Sequence, residues 1–192
     1  VRNSESAISA IYANGTCEAI RDTIENNSMG GLFRTKELKL DSCIVRNNNS
    51  QIVYFDNTNG YTRLNECDSI VNSTFEGNIG AHAAGRDSSL FVIHSANLVV
   101  NKNTFIDNRS GLDMMRLWGG DNLTISECLF SENKVYNLLD VQKSNNDNFT
   151  FEENTLSGNV LSGMLLSYVG GNDFVRNNTI VFNESGLDLI ML

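Results

Sequence analysis

The chain repeats one short pattern of apolar and polar positions, which is clearest over residues 122–133. In that stretch Leu123 and Ile125 alternate with polar residues. Phe130 follows after a polar gap, and Asn133 closes the pattern. The pattern occurs seven times, and each copy closes on an asparagine: Asn27, Asn48, Asn78, Asn108, Asn133, Asn159 and Asn183. These asparagines are 21, 30, 30, 25, 26 and 24 residues apart, and repeats of that length are typical of solenoid proteins.

The local spacing of the apolar residues distinguishes between kinds of solenoid. Apolar side chains recur at every second position, as in Phe149 and Phe151, which is the spacing of a β-strand. No stretch sustains the apolar spacing of a helix. The sequence therefore predicts an all-β fold, a single parallel β-helix domain of about seven coils with a right-handed winding. We expect the domain to span residues 1–192, with residues 1–16 as an N-terminal adapting segment and residues 17–192 as coils.

The asparagine that closes each repeat has a physical explanation. A solenoid strand must bend sharply to begin its next face, and asparagine tolerates the left-handed backbone region that such bends often need. In stacked coils each asparagine lies above the previous one at a strand spacing of about 4.8 Å. We therefore expect the seven asparagines to occupy the bends and to form an inward ladder of amide hydrogen bonds.

Five copies of a shorter F-x-x-N signature carry a family resemblance. They begin at Phe75, Phe105, Phe130, Phe151 and Phe174. The signature resembles the repeats of right-handed parallel β-helices of the pectate-lyase-like superfold, and in particular of polymorphic outer-membrane passenger domains. The companion G-G-A-[ILV] repeat of the passenger family is absent. The resemblance implies the fold, but not a function, because this superfold includes lyases, hydrolases, adhesins and fibres.

Composition limits the partners of the protein. The net charge is −9 and the isoelectric point is near 4.6, which argues against nucleic-acid binding because that requires a basic surface. No stretch approaches the roughly 20 apolar residues of a membrane-spanning helix. Because the chain begins at Val1 rather than at methionine, we expect a processed product or a segment of a longer protein.

Asparagine-linked glycosylation sequons are more frequent than chance predicts. Nine Asn-x-Ser/Thr sequences occur, whereas random placement of the same residues gives about four. Three of the nine belong to the ladder, and of the other six the predicted glycan sites are Asn14, Asn72, Asn122, Asn148 and Asn177. The alternative is that the turns of a β-helix enrich asparagine, serine and threonine together. Glycans would place the protein outside the cell, secreted or on the cell surface.

The four cysteines leave two interpretations open. Cys17, Cys43 and Cys67 fall in the first three coils, so one disulfide among them is a candidate. Buried free thiols are the alternative, with equal weight. Cys128 shares an inward position with Cys43 three coils away, too far for a direct bond. No C-x-x-C spacing or histidine cluster accompanies them, so we expect no metal site and no other cofactor.

The search for catalytic residues finds no constellation typical of β-helix enzymes. Asp113 and Asp188 occur in two matching segments, 108–117 and 183–192, and we expect both to point outward as surface aspartates. We therefore predict that the protein is not an enzyme. A carbohydrate-active lyase or hydrolase is the main alternative, with an adhesin passenger domain as a second alternative.

The end of the sequence suggests how copies of the chain could associate. Residues 187–192 lie within a predicted strand and include no polar cap, which leaves an exposed edge. Either further residues follow, or the first coil of another copy stacks there. From the second possibility we predict a structural subunit of an extracellular glycoprotein filament, assembled end to end from copies of itself.

Overall fold

The structure is a computed structural model that describes residues 5–6, 11–54, 67–80, 89–118, 121–142, 148–169, 172–187 and 190–191. Each regular coil of the described residues has four strands. We call them faces A to D, after the coil in which they are Asn122–Ser126, Leu129–Ser131, Lys134–Val135 and Leu139–Gln142.

Face B is the most regular part of the molecule. Its seven described strands are Thr23–Glu25, Ile44–Arg46, Thr74–Glu76, Thr104–Ile106, Leu129–Ser131, Thr155–Ser157 and Thr179–Val181. They pair in that order in one parallel sheet without a register shift. Parallel pairing between successive repeats, rather than within one repeat, means that each turn of chain stacks on the previous turn.

The remaining described strands form a second, continuous sheet over faces A, C and D. Face A contains Cys67–Val71, Asn97–Asn101, Asn122–Ser126, Asn148–Glu152 and Asn172–Arg176. Face C contains Glu5–Ser6, Ile79–Gly80, Arg109–Ser110, Lys134–Val135, Val160–Leu161 and Glu184–Ser185. Face D contains Phe91–His94, Met115–Trp118, Leu139–Gln142, Leu166–Val169 and Ile190–Met191.

Three longer strands pass from one face to another in the first coils. Ile11–Ile20 runs from face D onto face A, and Asn49–Tyr54 runs from face C onto face D. Ser28–Asp41 covers faces C, D and A, with register irregularities in its pairing to both neighbours. Glu5–Ser6 pairs with the start of Ser28–Asp41, so the described part of the N-terminal segment joins the same stack.

The core is a set of columns parallel to the axis, as the repeat predicts. The middle residues of face B are all apolar, and Phe75, Phe105 and Phe130 stack at centroid distances of 5.0 and 4.8 Å. Phe91 packs against this stack from face D with its ring edge-on to Phe75 and Phe105. Burial of one such ring stabilises the fold by about 1.5–3 kcal/mol, and the columns repeat that contribution coil after coil.

Two sharp bends border face B in every described coil. The residue at each bend has a φ between 47° and 66°, in the left-handed region. Between faces A and B these residues are Arg21, Ser42, Asn72, Lys102, Glu127, Glu153 and Asn177; between faces B and C they are Asn26, Asn47, Gly77, Asp107, Glu132, Gly158 and Phe182. The ladder asparagines are each one residue later. The prediction that they adopt the left-handed conformation is therefore wrong, because the preceding residue makes the bend.

Candidate functional site

The predicted asparagine ladder is confirmed, and Asn133 illustrates its geometry. Its side chain is fully buried behind the bend. Its Nδ2 donates to Phe105 O in the previous coil and to Asn159 Oδ1 in the next coil, both at 2.9 Å. Its Oδ1 accepts from the backbone N and from Nδ2 of Asn108, at 3.0 and 3.1 Å. The amide thereby uses both donors and accepts two bonds, which satisfies the side chain completely.

The ladder runs through all seven closing asparagines. Six bonds join them, and in each one Nδ2 donates to Oδ1 of the next asparagine in the stack, at 2.7 to 3.1 Å. Every bond points the same way along the axis, so the ladder has a direction. A buried polar group that keeps its partners contributes about 1 kcal/mol, whereas an orphaned one costs about 1–3 kcal/mol. The ladder therefore fixes the register of the coils.

A second polar column lies inside the bend between faces A and B. The sequence pattern does not predict that hydrogen bonds join its residues. Cys43 N donates to Ser73 Oγ at 3.0 Å, and Ser73 N donates to Asn103 Oδ1 at 2.8 Å. Cys128 N and Asn154 N donate to the next side chain of the column at 2.9 Å. The sequence signal was the small polar residue found at this position in every repeat, but the residue types differ too much to suggest a ladder.

The predicted glycan sites lie on the surface wherever the structure describes them. Asn72 and Asn177 are exposed at the bend between faces A and B. Asn122 and Asn148 are exposed at the start of face A, where Asn148 Nδ2 donates to Asn122 Oδ1 at 3.0 Å. The side chain of Asn14 lies outside the described residues. Exposure makes these amides accessible, and their modification stays a prediction.

The three sequons of the ladder have a different environment. Asn48 and Asn108 are each 1% exposed, and Asn183 is half-buried. In Asn48 both Nδ2 hydrogens are donated, to Ile24 O at 3.1 Å and to Asn78 Oδ1 at 2.9 Å. Burial and the use of both Nδ2 hydrogens therefore leave no room for a glycan at Asn48 in the folded state.

The candidate disulfide among Cys17, Cys43 and Cys67 is not formed in the structure. All three cysteines, and Cys128, are free. Cys17 pairs in register with Leu38 on face A, Cys67 is exposed at the start of its strand, and Cys43 lies in the bend column. The three thiols thus occupy different columns, which stacking does not bring together. Burial raises the pKa of Cys17 and of Cys43, and raises that of Cys128 to about 11.

The prediction that Asp113 points outward is wrong, because its side chain is fully buried next to face D. Its Oδ2 accepts from Arg116 Nε at 2.8 Å and also from Nη2 of the same guanidinium. Its Oδ1 accepts from Asn137 Nδ2 of the next coil at 2.8 Å. A charged partner and neutral donors compensate the loss of water, as a buried carboxylate requires. The equivalent Asp188 lies outside the described residues.

Arg116 joins Asp113 to a second carboxylate, that of Asp140, and so forms a charged cluster on face D. Arg116 and Asp140 are register partners, and Arg116 Nε lies 3.3 Å from Asp140 Oδ2. Gln142 donates to the same oxygen at 3.0 Å. Burial and the negative charge of Asp113 raise the pKa of Asp140, although Arg116 and Gln142 oppose that shift. The raised pKa favours the protonated form of the Asp140 carboxyl group.

The sequence contained a signal for this cluster. Arg116 and Asp140 are 24 residues apart, close to one repeat, and each is the second residue of a face D strand. Strands paired in register place such residues side by side on the outer surface. Asp113 lacked any such signal, because its burial depends on donors from two coils.

The described part of the chain contains no candidate metal site and no candidate membrane-spanning helix. No group of three or more His, Cys, Asp or Glu side chains could hold a metal ion there. No helix within the same residues is long and apolar enough to cross a membrane.

Comparison with known proteins gives one match. A family model described as a right handed beta helix region matches residues 69–180, more than half of the chain. Comparisons with curated proteins and with solved structures gave no match. The matched region contains the stacked phenylalanines and the central part of both polar columns.

Proposed function

The chain belongs to the right-handed β-helix family, and on that basis we propose that it is a rigid structural subunit of an extracellular glycoprotein filament or surface fibre. Copies of the chain stack head to tail in this proposal. The observation that supports it most strongly is the directional asparagine ladder. The family fold itself occurs in enzymes and in non-enzymes and does not decide the function.

The ladder makes the two surfaces of a coil complementary to each other. Asn108, for example, presents Oδ1 to the coil before it and donates Nδ2 to the coil after it. The backbone bonds between coils run in both directions, since Lys134 N donates back to Asn108 O at 2.9 Å and Asp107 N donates forward to Ser131 O at 3.1 Å. Two copies can repeat this contact only head to tail, and such a heterologous contact extends into a filament rather than closing into a ring.

Stiffness along the axis also fits a structural role. The face B strands keep one register through seven described coils, and the phenylalanine stack and two polar columns run parallel to them. A bend of the rod would have to break several of these rows at once. Seven rises of strand spacing give a rod of roughly 34 Å.

The outer surface supports the extracellular and glycoprotein part of the proposal. Asn72, Asn122, Asn148 and Asn177 are exposed sequon asparagines on the side of the rod, away from the surfaces that stack. Glycans there would leave end-to-end contact free. The net charge of −9 would oppose lateral association of filaments at low ionic strength.

Sedimentation velocity of the purified chain tests end-to-end assembly. We expect larger species as protein concentration increases at low salt, where the net negative charge opposes lateral association. Ile79→Lys and Val160→Lys serve as control variants, because both residues are exposed apolar side chains on face C. End-to-end assembly predicts that these variants assemble like the wild type. Loss of assembly in them would indicate lateral contact through the sides, and a wild-type monomer under all conditions would contradict the proposal.

The charged cluster on face D favours a second candidate function, a carbohydrate-active enzyme with Asp140 as proton donor. Burial raises the pKa of Asp140, and carboxyl groups with raised pKa values are frequent at catalytic sites. Trp118 lies beside the cluster with Arg116 5.9 Å above its ring. Release of reducing ends or of unsaturated sugars from acidic and neutral polysaccharides, abolished by Asp140→Asn, would support this function.

A further inference from the structure

Two sequons place the acceptor atom for a glycan inside the ladder. Asn108 Nδ2 donates to Phe75 O at 2.9 Å and to Asn133 Oδ1 at 3.1 Å. Asn48 Nδ2 has the equivalent two partners in its own neighbouring coils. Both asparagines are 1% exposed, so neither has a free Nδ2 hydrogen or an opening toward solvent.

N-glycosylation requires the atom that the ladder uses. A bond forms between Nδ2 and C1 of the sugar, while the bond from C1 to a lipid-linked diphosphate donor breaks. The diphosphate leaves, and Nδ2 loses one hydrogen as a proton. The modified amide keeps a single hydrogen and carries an oligosaccharide, whereas the ladder needs two hydrogens and a closed core.

We propose that N-glycosylation and folding compete at Asn48 and Asn108, so that modification of either residue prevents the coils from stacking. The proposal rests on the proposed function, which places the chain on a glycosylating secretion route. In this route the enzyme meets the unfolded chain, in which ladder and surface sequons are equally accessible. Folding then protects the ladder sequons, and folded molecules carry glycans only at the exposed ones.

Substitutions at the third position of the Asn108 sequon separate glycosylation from stability. Ser110→Ala removes the sequon but leaves the ladder residue unchanged, and Ser110→Thr keeps the sequon. Ser110 Oγ accepts from Leu112 N at 3.1 Å, so the alanine variant loses a hydrogen bond. If only stability matters, Ser110→Ala should give less folded protein than Ser110→Thr. If N-glycosylation competes with folding, Ser110→Ala should give more.

The experiment is secretion of the wild type and both variants from a eukaryotic host that performs N-glycosylation, with a bacterial host as control. Glycopeptide mapping is done on the secreted, protease-resistant fraction and on the retained, aggregated fraction. We expect glycans at Asn72, Asn122, Asn148 or Asn177 in the folded fraction, and at Asn48 or Asn108 only in the aggregate. We also expect Ser110→Ala to increase the folded yield over Ser110→Thr in the eukaryotic host, with that order absent or reversed in bacteria.

Two results would overturn the proposal. The first is a glycan on Asn48 or Asn108 in the folded fraction, and the second is an aggregate that carries no glycan at either residue. Thr124→Ala is the matched control, since it removes only the exposed Asn122 sequon and should not increase the folded yield. The sedimentation of unglycosylated bacterial protein tests the structural function separately, so failure of one proposal is distinguishable from failure of the other.

Discussion

Replacement of Asn133 by leucine tests whether the ladder determines stability. Leucine has a similar size but removes four hydrogen bonds that pass through the side chain. The backbone N–H of Asn108 and one Nδ2 hydrogen of Asn108 lose their acceptor, Asn133 Oδ1. An orphaned buried donor costs about 1–3 kcal/mol, so the two donors together cost about 2–6 kcal/mol.

The added apolar surface of leucine offsets about 1–2 kcal/mol of that loss. Taking the middle of each range, about 4 and about 1.5 kcal/mol, we expect the free energy of unfolding to fall by about 2.5 kcal/mol. Urea titration followed by far-UV circular dichroism measures the change, with attention to both midpoint and slope because repeat proteins can unfold in parts. Asn133→Ser should lie between wild type and Asn133→Leu, because serine provides one acceptor, as Ser73 does for Cys43 N in the second column.

Glu132→Leu is the matched control for this prediction. Glu132 precedes Asn133 in the chain, makes the bend and is exposed. The same new side chain there should change the unfolding free energy by less than about 0.5 kcal/mol. Equal midpoints for Asn133→Leu and Glu132→Leu would refute the reasoning, because they would show that the buried amide bonds contribute nothing beyond the side chain's bulk.

Three further predictions concern the bends and the face D cluster. Gly77→Ala and Gly158→Ala should each destabilise the fold by about 1 kcal/mol, because their φ values are 61° and 66°. A Cβ at Gly77 would lie 2.7 Å from Asn47 Oδ1, but Asn47 is exposed and its amide can turn away, so an effect more than about 1 kcal/mol larger at Gly77 would contradict this. Phe182 has a φ of 55° and is 89% exposed. Phe182→Asn should therefore raise the free energy of unfolding by about 1 kcal/mol, whereas Phe182→Ala, which keeps the backbone strain, should not. Burial raises the pKa of Asp140, so its contribution to stability is fully present below its ordinary pKa and is lost as pH rises through the folded value. Asp140→Asn should therefore be more stable than wild type at neutral pH and lose the advantage in acid, and parallel pH–stability curves would count against it.

The parts of the fold that follow from stacking could be predicted from the sequence. The apolar columns and the closing asparagines recur at nearly constant spacing, and parallel pairing converts equal spacing into vertical contact. Phe105 and Phe130 each begin an F-x-x-N signature, which predicts that they share one column, and their rings stack. The same argument predicted that Asn108 and Asn133 would bond to each other.

The parts that depend on neighbouring coils or on local backbone could not be predicted in this way. The bend residues include arginine, lysine, glutamate and phenylalanine. These residue types do not favour the left-handed backbone region, so the sequence predicts the bend at the asparagine that follows. Asp113 is polar and looked like a surface residue. Its burial becomes favourable through donors from its own and neighbouring coils, which include Arg116 and Asn137.

Exposure was predictable only in part for the glycan sites. Asn72 and Asn108 both begin sequons, but the first makes a bend and the second follows one. That shift of one residue moves the side chain from solvent into the core. The sequence pattern predicts the inward position of Asn108, because Asn108 is one of the asparagines that close each repeat.

Electron microscopy of the purified chain at high concentration tests the structural function most directly. We expect unbranched filaments that are as wide as a single β-helix, with an axial repeat near the length of one rod, roughly 34 Å. Their formation should persist in Ile79→Lys, which changes only the side of the rod. Dispersed single particles at every concentration and salt level would contradict the proposal that this β-helix assembles end to end.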